Sequence, residues 1–172
     1  MNWTVKTVKK IILKTDVQVI KAICDEKIKI ITFETAYDKW KCNNGQVKEN
    51  EVIGLHGNSR RDMKKIRLAA NMNNEQTAIT LFHEMGHLTR MPPTNSEEAL
   101  QEEIEIRVET EEFAIRQGML PTSLGYRTAN GKVDHAFIEA QVRNCSHYNP
   151  FDAKLVSRRY VGEKDIIGWC PP

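Results

Sequence analysis

The sequence predicts an α+β fold in which a small mixed or antiparallel sheet packs on an apolar helix and on a second long helix. Three observations support this. Segments rich in β-branched residues, such as KIKIITFE, alternate with segments of helical spacing. The apolar run AITLFHEMGHL precedes the acidic run SEEALQEEIEIRVETEEFAIRQG, and two prolines separate them. A length of 172 residues favours one domain, 1–172, with a sizeable core.

The first third of the chain has mixed character. Apolar residues in 16–26 have helical spacing, and 27–34 changes to the period-two alternation of a strand. The segment CNNGQ at 42–46 has turn chemistry. Two further strands are predicted at 51–57 and 64–71, joined by the polar residues NSRRDM, so a hairpin or a small sheet is the expected outcome.

The apolar run in the middle of the chain predicts a buried helix. Asn73 or Asn74 is its expected N-cap, because an asparagine side chain accepts hydrogen bonds from the unpaired amides of the first turn. Its apolar residues cover most of the helical circumference. Pro92 and Pro93 end it, since neither continues a helix.

The acidic run predicts a second long helix. It is expected to begin at Thr94, Asn95 or Ser96, and Thr94 with Glu97 has the spacing of a capping box. It is expected to end at Gly118. We therefore place the core of the domain at about 51–121.

Residues 122–172 are interpreted as a C-terminal helical extension. Its helix candidates are 133–144 and 151–161. No internal repeat or low-complexity tract accompanies them.

Composition argues against several classes of protein. With 25 basic and 23 acidic residues, the net charge of +2 gives no electrostatic reason to expect nucleic acid or membrane as the main partner. No run approaches the ~20 apolar residues of a membrane span, and the first residues lack the apolar block of a signal peptide. Cys24, Cys42, Cys145 and Cys170 form no Cys-x-x-Cys pair, so free thiols and a cytoplasmic location are expected.

The segment HEMGH predicts a zinc site. His83 and His87 lie four residues apart, so both imidazoles project from one side of a helix and can bind one ion. Glu84 lies in the position of a general base that activates a water molecule. Two unpaired imidazoles and a carboxylate would be costly to bury in so apolar a helix. We therefore expect one Zn²⁺ per chain.

The third zinc ligand is expected on the acidic helix. Glu105 is the preferred ligand, because Glu105 and Glu109 have the spacing of a ligand followed one turn later by a carboxylate that orients a histidine. Glu109 is the main alternative. Glu102 and Glu103 are further candidates. Most of the remaining glutamates are expected to be solvated helix residues.

The strand before the HEMGH helix is a candidate for binding an extended peptide. An edge strand beside a zinc cleft binds substrate as an added strand, through main-chain hydrogen bonds. The candidate residues are Ile66, Arg67, Leu68, Ala69 and Ala70.

Candidates for stabilising an oxyanion lie in the C-terminal third, and a solvent-exposed or capping role is the alternative for each of them. The sequence offers two histidines and two tyrosines and does not rank them. They are His135, His147, Tyr126 and Tyr148.

The segment KKIRLAANMNNEQTAITLFHEMGHLT resembles the strand and site helix of the ImmA/IrrE-type zinc metallopeptidases, a gluzincin-like family common in phages and mobile elements. The segment EEFAIRQGMLP is similar to their helix end, in which Phe-Ala precedes Leu-x-Pro. The likeness covers about 51–121. It implies a zincin-type fold, with His83 and His87 as ligands and Glu84 as the base.

The resemblance does not identify the third zinc ligand in this sequence. The family's usual glutamate lies six residues before the Phe-Ala pair, and Arg107 occupies that position here. A Glu-x-x-x-Glu pair in the related metallopeptidase domains of antirestriction proteins favours Glu105.

The function implied is zinc-dependent cleavage of a specific protein, such as a transcriptional repressor or another regulator. Two alternatives stay open. One is a non-catalytic interaction protein that keeps a structural zinc site. The other is a zinc hydrolase that acts on a non-peptide amide or ester.

Overall fold

The computed structural model describes residues 2–36, 41–42, 45–46, 57–144 and 159–171. Within these ranges the chain has five helices and a four-stranded mixed sheet, so the α+β class is confirmed. Except for Gly57, the predicted strand at 51–57 lies outside the described residues, as does 151–158 of the last helix candidate.

The helices and strands are numbered in chain order. The helices are α1 (Val5–Leu13), α2 (Val17–Asp25), α3 (Asn74–Leu88), α4 (Ser96–Arg116) and α5 (His135–Asn144). The strands are β1 (Lys29–Ala36), β2 (Lys41–Cys42), β3 (Gly45–Gln46), β4 (Gly57–Arg60), β5 (Lys65–Ala69) and β6 (Arg159–Asp165). Strands β2 and β3 form a separate antiparallel pair.

The main sheet has the strand order β4-β5-β1-β6. Strand β1 is parallel to β5, with Ile30 opposite Ile66, and the other two pairings are antiparallel. The hairpin expected from the sequence is β4–β5, although β4 begins only at the last residue of the predicted strand and continues into the segment interpreted as a polar linker. Because β5 is hydrogen-bonded on both sides, the prediction that residues 66–70 form an edge strand for substrate is wrong.

Helix α1, which the sequence analysis did not predict, begins the main core. The Thr4 side chain accepts a hydrogen bond from the Thr7 amide and caps the helix, and Val8 and Ile12 bury the face that contacts α3. The Trp3 indole donates a hydrogen bond of 3.1 Å to the carbonyl oxygen of Ala69. The first residues therefore belong to the core, which is not confined to 51–121.

The two long helices begin near the predicted positions. Asn73 caps α3 in a capping box with Gln76, whose side chain accepts from the Asn73 amide. Helix α4 is capped by Asn95, which accepts from the Glu98 amide, so the capping box predicted for Thr94 with Glu97 is wrong. Helix α3 packs on both the sheet and α4.

The C-terminal residues complete both the sheet and a second core. Helix α5 packs on α4, and β6 pairs with β1. The helical prediction is therefore wrong for 159–161, which lie in β6. The second core cluster consists of Ile104, Val108, Tyr126, Ile138 and Val142.

Cys24 and Cys170 form a disulfide that links the end of α2 to the segment after β6. The prediction of free thiols is wrong for this pair, and Cys145 lies outside the described residues. None of the described helices combines the length and the apolar character needed to cross a bilayer.

Candidate metal centre

The two histidines of HEMGH lie one turn apart on α3. The rings of His83 and His87 have centroids 5.1 Å apart and planes inclined by 71°. Both side chains are largely buried, with exposed fractions of 21% and 22%. The four-residue spacing therefore gives the predicted arrangement.

Glu103 of α4 faces both histidines. Its Oε2 lies 3.3 Å from His87 Nε2 and 3.7 Å from His83 Nε2. Ligand atoms from the three residues all lie within 4.8 Å of one another. Ligands bonded at 2.0–2.1 Å to a tetrahedral ion are about 3.3 Å apart, and both distances from Glu103 Oε2 are close to that spacing. This group can hold a metal ion.

The structure does not bring the preferred third ligand, Glu105, to the histidines. Glu105 is 51% exposed and accepts a hydrogen bond from Gln101, and Glu109 is 48% exposed and pairs with Arg90. Glu103 is 11% exposed. Two residues further along a helix, a side chain is rotated by about 200°, which points Glu105 away from α3. The glutamate that lies beside both histidines is thus Glu103, one of the two further candidates.

Glu102 orients His87. Its Oε1 accepts a hydrogen bond of 2.7 Å from His87 Nδ1. The other ring nitrogen, Nε2, therefore faces Glu103. Arg61, in the turn after β4, donates to the same oxygen and also to the main-chain oxygen of His87 at 2.7 Å. The carboxylate that orients a histidine was expected one turn after the ligand but lies immediately before it.

Glu84 is buried beside this group, with 8% of the residue exposed. Burial raises its pKa to about 7, although the charge of His87 and a hydrogen bond from the Ser59 hydroxyl both oppose the shift. Ser59 belongs to β4, so the edge strand of the sheet touches the carboxylate directly. Such a group can accept and release a proton near neutral pH.

The pKa values of His83, His87 and Glu103 depend on one another, because the three side chains are buried together. Burial lowers the pKa of His83 to about 4. For His87, burial also lowers the pKa, but hydrogen bonds to Glu102 and Glu103 prevail and raise it to about 9. Burial raises the pKa of Glu103, yet His87, His83 and Arg107 together hold it well below its usual value.

Arg107 occupies the position where the resemblance would place a glutamate. Its Nε donates a hydrogen bond of 2.7 Å to Glu103 Oε1, and its Nη1 donates to the Tyr126 hydroxyl. Tyr126, considered as an oxyanion stabiliser, instead lies buried in the second core and contacts Arg107. His135 is exposed at the start of α5. His147 and Tyr148 lie outside the described residues.

Sequence reasoning missed Arg61 and Ser59. Neither has a spacing relative to HEMGH that marks it, because a turn and a strand bring them to the site through tertiary packing. A cavity of about 470 Å³ between α2, α3 and α4 is lined by Met85 and Gly86 of α3 and by Arg90 just after it, and not by the side chains of His83, His87 or Glu103.

No match to this chain was found among protein families, curated proteins or solved structures. The geometry of the site therefore carries the functional argument.

Proposed function

We propose that this protein is a zinc-dependent metallopeptidase with His83, His87 and Glu103 as ligands. The observation that carries the proposal is the convergence of these three side chains, with ligand atoms within 4.8 Å, next to the buried carboxylate of Glu84. Two imidazoles and one carboxylate are a donor set that catalytic zinc uses in hydrolases.

Each residue has a distinct role in the proposed reaction. Zinc supplies a Lewis acid that polarises a carbonyl group and makes water acidic near neutral pH. Glu84 takes the proton from the attacking water and carries it to the leaving amine. Glu102 fixes the orientation of His87, and Ser59 holds Glu84 in place.

The number of ligands favours catalysis over a structural metal. Structural zinc sites are closed by four protein ligands, whereas catalytic sites keep one position open. The cluster contains three potential ligands within the described part of the chain. The alternative of a non-catalytic zinc protein would need a fourth.

The edge strand favours a peptide as substrate. Strand β4 packs on α3, places Ser59 against Glu84, and has no partner on its outer side among the described strands. An extended peptide can add to such an edge through main-chain hydrogen bonds. The substrate strand is therefore proposed at Gly57–Arg60, in place of residues 66–70.

The sequence resemblance to ImmA/IrrE-type peptidases supports the same proposal. It implies regulated cleavage of one protein, such as a repressor. Regulated cleavage of a specific protein is therefore part of the proposal.

The test compares the wild-type protein with Glu84→Gln and with the surface variant Glu109→Gln. Each protein is loaded with one equivalent of zinc and incubated with a library of unstructured peptides, and the products are read by mass spectrometry. We expect Glu84→Gln to retain zinc and lose cleavage, since the amide is a poor base, and Glu109→Gln to cleave normally.

Cleavage by zinc-loaded Glu84→Gln at the wild-type rate would refute the mechanism. A zinc-loaded wild-type protein that cleaves no peptide would favour the non-catalytic role.

A further inference from the structure

We propose that Arg107 and Tyr126 are positioning residues that restrict Glu103 to a single-oxygen contact with the metal. The inference rests on the zinc site of the proposed function. It gives the segment between α4 and α5 a part in the site, although that segment holds none of the three potential ligands.

The ligand Glu103 and the positioning residue Arg107 lie on one face of α4. Glu103, Arg107 and Glu111 are four residues apart, so their side chains follow one another along the helix. Arg107 Nε binds Glu103 Oε1 at 2.7 Å, on the oxygen that does not face the histidines. Glu103 Oε2 remains 3.3 Å from His87 Nε2.

A carboxylate held in this way differs from one that can rotate. A rotating carboxylate can bind a metal through both oxygens and fill the position that a hydrolase keeps open. Arg107 engages Glu103 Oε1 in a charge-assisted hydrogen bond, which makes that rotation costly. The arginine therefore protects the open position as well as the orientation of the ligand.

Tyr126 determines where the guanidinium lies. Its hydroxyl accepts a hydrogen bond from Arg107 Nη1, and its ring is buried against α4 and α5. The loop that carries it is anchored one turn further along α4. There, the fully buried Glu111 accepts hydrogen bonds from Arg127 and from the amide and hydroxyl of Thr122.

The experiment uses the full chain in four single variants and in the double variant Arg107→Met/Tyr126→Phe. Arg107→Met keeps an unbranched, flexible stem and removes every donor. Arg107→Lys restores the charge, and Tyr126→Phe removes the hydroxyl. Arg143→Met is the matched control, because the Arg143 guanidinium also bonds two side chains, the carboxylates of Glu97 and Glu139, but on the surface of α5.

Three quantities are measured for each protein. They are the zinc Kd by chelator competition, the visible absorption of the Co²⁺-substituted protein, and the thermal unfolding temperature without metal. The Co²⁺ bands report the number of ligands and their symmetry, which a purely structural role for the arginine would leave unchanged.

We expect Arg107→Met to weaken zinc binding by about 10–100-fold, the usual effect of losing a group that orients a ligand. Its Co²⁺ bands should weaken as the coordination number rises. Arg107→Lys should recover part of the zinc affinity, because its ammonium group can contact Glu103. The recovery should be partial, because lysine lacks the planar guanidinium with which arginine also reaches Tyr126. Tyr126→Phe as a single substitution should also weaken zinc binding. In the Arg107→Met background it should cause no further loss, because the hydroxyl acts through the arginine.

Unchanged zinc affinity and Co²⁺ bands in folded Arg107→Met would overturn the inference and leave the zinc site intact. The same losses in Arg143→Met would overturn it too, because they would not depend on Glu103. A wild-type protein that binds no zinc would overturn both this inference and the proposed function.

Discussion

Replacing Glu103 with glutamine should remove most of the stabilisation that zinc gives this protein, whereas Glu105→Gln should not. The two residues are near neighbours on α4, but the Glu103 side chain is 11% exposed and faces the histidines, and Glu105 is 51% exposed. The pair therefore separates the effect of a ligand from that of a surface charge on the same helix.

The magnitude follows from the number of ligands. Four-ligand zinc sites bind with about 10–16 kcal/mol, or about 2.5–4 kcal/mol per ligand, so one lost ligand weakens binding by about 10²–10³-fold. Zinc at about 1,000 times Kd stabilises the wild-type protein by about 4.1 kcal/mol. At the same zinc concentration, a hundredfold weaker variant is stabilised by about 1.4 kcal/mol.

The assay is thermal unfolding with and without zinc, compared within each variant. For a chain of this length about 1 kcal/mol corresponds to about 2–4 °C, so zinc should raise the Tm by about 8–16 °C in the wild type and by about 3–6 °C in Glu103→Gln. Comparison within a variant cancels the change in apo-protein stability caused by the altered Arg107 contact. A full shift in Glu103→Gln, or its loss in Glu105→Gln, would refute the assignment.

Two further predictions concern packing. In Gly86→Ala, the added Cβ would lie 3.1 Å from Ile106 of α4. This close contact should push α3 and α4 apart and lower the zinc affinity about tenfold. An unchanged zinc Kd by chelator competition would contradict this. Reducing the Cys24–Cys170 disulfide should lower the free energy of unfolding by about 2–5 kcal/mol. Denaturant titration with and without reductant measures this difference, and equal midpoints would show that the disulfide does not stabilise the fold.

The parts of the fold that the sequence predicted depend on local patterns. Asn73 followed by Gln76 is a cap encoded within four residues, and His83 and His87 are placed by helical geometry alone. The strand texture of β1 and the hairpin of β4 and β5 are equally local. Such signals need no knowledge of the neighbouring elements.

The failed predictions concern relations between elements. Whether Glu103 or Glu105 faces α3 depends on the rotation of α4 about its own axis, which is determined by packing of residues such as Ile106 against Gly86. Glutamates occur on several faces of α4, so the residue types do not indicate which face packs against α3. Likewise, no local pattern tells whether β5 is an edge strand, since that depends on β1 and β4.

The pairing of β6 with β1 affects the order in which the chain can fold. Strand β1 pairs on its second side with a strand near the other end of the described chain. This connection is nearly as distant in sequence as the Cys24–Cys170 link, which spans 146 residues. Loop closure over such a distance makes the pairing slow relative to local elements. During synthesis, β1 therefore lacks its outer neighbour until residues 159–165 have emerged. An exposed strand edge beside the buried Phe33 is a surface that favours aggregation, and the last strand removes it.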